Sequence, residues 1–274
     1  MRRIITAVVF AGVAAFGLDL LAAPAAAQGT LYTKDGGQKS GVVKWSARNR
    51  SYVVTTKAAN GSSMDMEIPA KNVLRLEIKE PQGMDQAVKA VQAGQGAGQI
   101  KYLEGIMEDY AHLQWDQTAG SYLAAAYLSA KNPQKALATC EKIIDVDKAA
   151  AYSGDLAPVY WKALIENNQS SKLEQMLTKA ASSGDRFASG SALIARGHAL
   201  LKKDESPAGA RKALVDGFLR VVLLYNDDEV GPRLRPEALD GAARCFDIMR
   251  QTSRAADMRN ELKSKYPGSP FAAK

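Results

Sequence analysis

The chain has 274 residues, with 36 Lys or Arg against 29 Asp or Glu, and it contains only two cysteines and two histidines. So few cysteines exclude a small scaffold stapled by disulfides, and two histidines leave no ready set of imidazole ligands for a metal. The fold must rest on burial alone, and this length allows two modest hydrophobic cores. Arg2 and Arg3 precede an apolar run from Ile4 to Gly17, and an Ala-rich stretch ends in Ala25-Ala26-Ala27. That order predicts a secretory signal peptide over 1–27, cleaved after Ala27. Gly12, Gly17, Asp19 and Pro24 break the run, so it falls short of the roughly 20 apolar residues that span a bilayer. The expected mature chain is periplasmic or secreted and does not cross a membrane. Past residue 27 there remain 34 Lys or Arg and 28 Asp or Glu, a net +6. Residues 28–83 hold nine of those basic residues against five acidic ones, so the positive potential is concentrated at the front.

From Leu31 to Lys79 apolar residues alternate: Val43 and Trp45, Tyr52 and Val54, Met64, Met66 and Ile68, then Leu74, Leu76 and Ile78. A period of two predicts four or five short strands with one buried face. Turns are expected at Asp35-Gly36-Gly37, Arg48-Asn49-Arg50, Asn60-Gly61 and Pro69-Ala70. So few strands protect their edges best by curling up, so 28–80 reads as a small all-β, barrel-like domain, which resembles barrels of the Src-homology-3 kind in size and pattern.

After Glu80-Pro81-Gln82-Gly83 the spacing changes to three and four residues, and 84–274 reads as a helical domain. Breaks are expected at Gly94 to Gly98, Asn132-Pro133, Asn167-Asn168, Ser206-Pro207 and Gly231-Pro232. Leu123-Ala124, Tyr127, Ala136 and Ile143 form one pattern; Ala242-Ala243, Phe246, Ala255, Leu262 and Pro267 form another at matching offsets. Two antiparallel helices cross closely where small side chains meet, and an aromatic fills the wedge beside them. These residues resemble the tetratricopeptide repeat. Second-helix anchors at Gln99, Ala136, Leu173, Leu214 and Ala255 suggest about five hairpins. Their spacing exceeds the roughly 34 residues of the standard repeat, which argues for longer helices or loops, with the excess of the fourth unit at 203–210 and 226–237. The tail Tyr266-Pro267-Gly268-Ser269-Pro270-Phe271-Ala272 resembles repeat ends of periplasmic tetratricopeptide proteins such as the Tol-Pal coordinator and the outer-membrane assembly lipoprotein. The implied fold class is mainly α: a tetratricopeptide-like α-hairpin solenoid after a small β-domain.

Residues for catalysis are sparse. His112 and His198 lie in different units, with no second ligand at metal spacing. No Gly-x-Ser-x-Gly elbow occurs. Gly94-Gln95-Gly96-Ala97-Gly98 follows a helix rather than a strand and lacks a phosphate-loop lysine, so it reads as a turn. Asp227-Asp228-Glu229 lacks the alternating spacing of a calcium loop. Cys140 and Cys245, 105 residues apart, are expected as separate buried thiols rather than a bridge. Trp45, Trp115 and Trp161 fall on apolar faces. No catalytic residue, metal or cofactor follows from the sequence.

A groove remains. The repeat resemblance implies that residues flanking the large-small pair on each first helix face a partner: Ser121 and Ala125, Lys162 and Glu166, His198 and Lys202, Asp240 and Arg244. Their mixed charge suits a protein or peptide better than a nucleic acid. The resulting expectation is an exported, non-enzymatic binding scaffold whose basic β-domain docks on an acidic envelope surface. The alternatives are a stoichiometric component of an envelope assembly and, from another class, a cell-wall enzyme. If the groove is not the site, the loops around Arg233 and Arg235 come next.

Overall fold

A computed structural model describes residues 27–57, 61–226 and 229–272. The expected leader, Ala27 excepted, and Asp227-Asp228 lie outside them. Five strands, β1 (Gln28–Thr33), β2 (Gln38–Ser46), β3 (Ser51–Lys57), β4 (Ser63–Pro69) and β5 (Val73–Ile78), form one antiparallel sheet in the order β4-β3-β2-β1-β5. The β1–β2 and β2–β3 turns fall at Asp35-Gly36-Gly37 and Arg48-Asn49-Arg50, and Gly36 and Gly61 have positive φ; Asn60 of the next expected turn lies outside the described residues. Alternation separates the faces: Leu31, Val43 and Val54 are fully buried on one, while Lys44, Lys57 and Glu67 are exposed on the other.

The expected barrel does not close. A short 3-10 turn, Ala70–Asn72, joins β4 to β5, yet the two strands do not pair, so both remain edges. Nor does the alternation hold to the strand ends. Tyr32 pairs with Arg75 but Thr33 with Val73, which leaves Leu74 as the extra residue of a bulge. A bulge shifts the parity of the strand, so Val73 turns inward and Leu74 is 67% exposed. Met64, at the far end of edge strand β4, is also exposed.

Among the described residues no strand follows β5. The helices are α1 (Met84–Gln92), α2 (Ile100–Asp109), α3 (Trp115–Ser129), α4 (Pro133–Val146), α5 (Leu156–Glu166), α6 (Ser170–Ser182), α7 (Arg186–Lys203), α8 (Pro207–Ala213), α9 (Leu219–Leu224), α10 (Gly231–Ile248) and α11 (Thr252–Lys265). Their starts follow sequence signals. Asn132 accepts from the Lys135 N–H ahead of Pro133, Asp185 caps α7, and Ser206 accepts from the Gly209 N–H ahead of Pro207. Such caps satisfy backbone donors that the first turn leaves unpaired. Ala136 and Leu173 are buried on α4 and α6 and Ala255 on α11; Gln99 instead ends a 3-10 turn.

Of the two alternatives for the extra length of the fourth unit, longer helices account for most of it among the described residues, and Arg233 lies on a helix rather than in a loop. The segments α7 and α10 run 18 residues each, and α8 continues into α9 through a π-helical turn, Leu214–Phe218. Gly197 and Gly217 make this possible: a Cβ on Gly217 would stand 2.6 Å from the Gly197 Cα, and one on Gly197 2.8 Å from the Phe218 ring. With Gly241 they let α7, the π turn and α10 close around the buried Phe218. Arg235 is likewise no loop residue. It lies on α10 with 2% exposure, and its guanidinium donates to the Val222 carbonyl, the Tyr266 hydroxyl and the Glu261 carboxylate.

The hydrophobic boundary does not coincide with the change of period at Pro81. Leu31, Val43, Val54 and Ile78 of the sheet belong to one buried cluster with Met84, Leu103, Leu113 and Trp161, which extends to Ala195. A second cluster starts at Ile194 and runs through Phe218 to Leu262. The division falls within α7. The sheet is joined to the helices by the α2–α3 turn, where His112 (φ 61°) and Gln114 (φ 76°) both have positive φ. There the Trp115 indole donates to the Ile78 carbonyl at 3.0 Å, the Gln114 amide to the Leu76 carbonyl at 3.2 Å, and the Trp45 ring lies 4.7 Å from that of His112.

Candidate functional site

The first helices of the successive hairpins form a row: α3 packs on α5, α5 on α7 and α7 on α10. Close approach is possible because the interior positions are small, as with Ala124, Ala163, Gly197 and Ala242, all buried. Buried Trp161 fills the wedge on α5 and donates its indole N–H to the Ala151 carbonyl at 2.9 Å.

The eight groove residues do not fare alike. Lys162 and Arg244 are exposed on α5 and α10, with no ion pair among the described residues. Glu166 and Lys202 come together across α5 and α7 at 3.1 Å, and Lys202 also donates to the Ile165 carbonyl at 2.9 Å. Half-buried His198 meets Glu237 of α10 at 2.9 Å and stands edge-on to Phe218 at 4.9 Å. Asp240, three residues beyond Glu237, is half-buried. At the α3 end the arrangement is weaker. Ser121 turns back to the Gln117 carbonyl at 3.0 Å, and Ala125 packs against the core. The mixed charge therefore lies on α5, α7 and α10.

Sequence reading missed Glu237, and it placed Arg233 in a loop rather than in the first turn of α10. Arg233 pairs with Asp155 at 2.5 Å and covers the Phe187 ring at 3.9 Å, tying the start of α10 to the starts of α5 and α7. Glu237 was legible in one respect, since residues three apart share a helix face. Exposed pairs such as Glu166–Lys202 contribute only about 0–1 kcal/mol to stability. Their charges are thus available to an incoming partner at little cost to the fold.

Elsewhere the chemistry is quiet. The two thiols are free and buried, and burial pushes Cys140 up to about 12 and Cys245 up to about 11. His112 sits on the α2–α3 turn rather than on a helix, its N–H held by Asp116 at 2.8 Å. No group of His, Cys, Asp and Glu among the described residues could hold a metal ion, and no helix among them is long and apolar enough to cross a membrane. A recess of about 650 Å³ beside β1, β2 and β5, lined by Thr30, Ser40, Glu77, Lys79 and Gln114, lies on the sheet and apart from the helical row. No protein-family model, curated protein or solved structure matches this chain.

Proposed function

We propose that the chain is an exported, non-enzymatic scaffold that holds a protein or peptide along the row α5, α7 and α10 of a tetratricopeptide-like array. One observation carries the reading. The first helices pack in a continuous row, and across it exposed Lys162 and Arg244 flank the cross-helix pair Glu166–Lys202. A peptide laid across the row would meet fixed charges of both signs, an arrangement that selects sequence and register more than raw affinity. Export to the periplasm or medium rests on the leader pattern, and the scaffold role on the repeat resemblance together with this row.

The test is charge reversal. Lys162→Glu with Arg244→Glu should weaken partner binding more than tenfold, about 1.4 kcal/mol or more, while circular dichroism and thermal midpoint stay unchanged. Reversing Lys44 and Lys57, exposed on the polar face of the sheet, should instead reduce docking to acidic vesicles in a salt-sensitive way and leave peptide capture intact. Unchanged partner affinity in a well-folded double mutant removes the site from this row.

A further inference from the structure

The two edges of the sheet are finished differently. In β5 the residues paired toward β1 alternate with residues whose backbone groups point outward; the Lys79 N–H donates to the Gln28 carbonyl, so Leu76 and Ile78 are the outward ones. Those two carbonyls are the ones that Gln114 and Trp115 occupy. Side chains of the helical region therefore cap the β5 edge.

Among the described residues the β4 edge has no such cap. The Ala70 N–H donates to the Arg50 carbonyl, and the register carries that parity through Ile68, Met66 and Met64, which face β3. The backbone groups of Ser63, Asp65 and Glu67 point away from the sheet. Side chains alternate on the same strand: Met64, Met66 and Ile68 lie on the apolar face, Met64 57% exposed, and Asp65 and Glu67 on the polar face. Both carboxylates are fixed by uncharged donors. Thr55 donates to Asp65 at 2.7 Å, and Asn49 and Ser51 donate to Glu67 at 2.6 and 2.5 Å. Neither has a cation in an ion pair among the described residues.

We propose that β4 is a second docking surface, which adds an extended strand of a partner with basic residues at alternate positions and apolar residues between them. The backbone row of β4 supplies the ladder, Asp65 and Glu67 meet the basic side chains, and the methionine face meets the apolar ones. The same charges exclude a second copy of this chain: an antiparallel β4–β4 pair would place Asp65 and Glu67 opposite one another, and like charges directly opposite are destabilising. This surface is independent of the helical row.

The probe is an end-capped seven-residue peptide of alternating lysine and valine, with the alternating glutamate and valine peptide as its counterpart, tested on the full chain. The lysine peptide should bind, slow the hydrogen exchange of the Ser63, Asp65 and Glu67 amides, and weaken as salt rises; the glutamate peptide should not bind. Asp65→Asn with Glu67→Gln keeps the acceptors and removes the charge, and should weaken the lysine peptide at least tenfold and flatten its salt dependence. Asp65→Pro deletes an outward N–H without touching the β3 ladder and should abolish the protection. Equal binding of both peptides, protection elsewhere than β4, or dimerisation of the unmodified chain through β4 overturns the proposal.

Discussion

The two hydrophobic cores are built differently, the first packing the sheet together with helices and the second packing helices alone. The first, from the sheet to Ala195, is assembled from apolar side chains in plain periodicity, with Leu31, Leu103 and Trp161 almost wholly excluded from solvent. The second is built on glycines around Phe218 and on Arg235, a buried charge held by α9, α11 and the tail. Apolar burial tolerates imperfect partners, whereas a buried charge is stable only with its whole partner set in place. The second core should therefore be the more brittle.

The largest expected effect is at its centre. Phe218→Ala should cost about 3–5 kcal/mol by chemical denaturation, because glycines on two sides leave no side chain to fill the void. A loss below about 1 kcal/mol would mean that the π turn relaxes and the core is not tightly packed.

Next is Glu261→Ala, expected to cost about 3 kcal/mol at neutral pH by stranding the Arg235 charge. Replacing Arg235 and Glu261 together by Met and Leu should recover most of that loss. The pair also has a pH signature. Burial by itself would raise the Glu261 carboxyl, but the Lys265 hydrogen bond and the Arg235 charge outweigh it and hold the group below its ordinary 4.5. A depressed carboxyl stabilises the fold above that value, and the contribution fades as pH falls through the folded value. The gap between the unsubstituted chain and Glu261→Ala should narrow below pH 4.5; a gap that widens there would contradict this ionic account.

In the first core, Trp115→Phe removes one hydrogen bond to the β5 edge and should cost about 1 kcal/mol. The Cys140 and Cys245 thiols offer a finer comparison. Both should resist alkylation in the native state, and mass measurement after denaturation should show two modified cysteines. Faster native labelling of Cys245 than of Cys140 would show that the second core opens first. The smallest effect is expected on the exposed row, where Lys162→Glu and Arg244→Glu should each change stability by less than about 0.5 kcal/mol.

Strand turns and most helix starts were legible because they depend on local chemistry, as at Gly36, Asn132-Pro133 and Ser206-Pro207. What the sequence hid is what tertiary packing decides. Leu74 continues the alternation perfectly and still faces solvent, because a bulge against Tyr32 and Thr33 shifts the strand by one residue. Two prolines around Arg233 and Arg235 signal a loop, yet Pro232 sits in the first turn of a helix that carries Pro236 within it, and the guanidinium of Arg235 finds its partners on α9, α11 and the tail. Within the groove, Glu166 and Lys202 could be matched by offset alone. Ser121 and Ala125 could not be discounted that way, since on α3 the Ser121 hydroxyl bonds back to the Gln117 carbonyl and Ala125 packs against the core.

The central claim is that a partner lies along α5, α7 and α10, and site-specific photo-crosslinking tests it most directly. A photoreactive residue placed at Lys162 or at Arg244 in the intact chain, in its native cell, should give an adduct with the same partner protein. One placed at Val146, 65% exposed at the end of α4, should give none. Adducts at Val146 with no product from Lys162 or Arg244 would contradict the account and move the binding surface to the second helices.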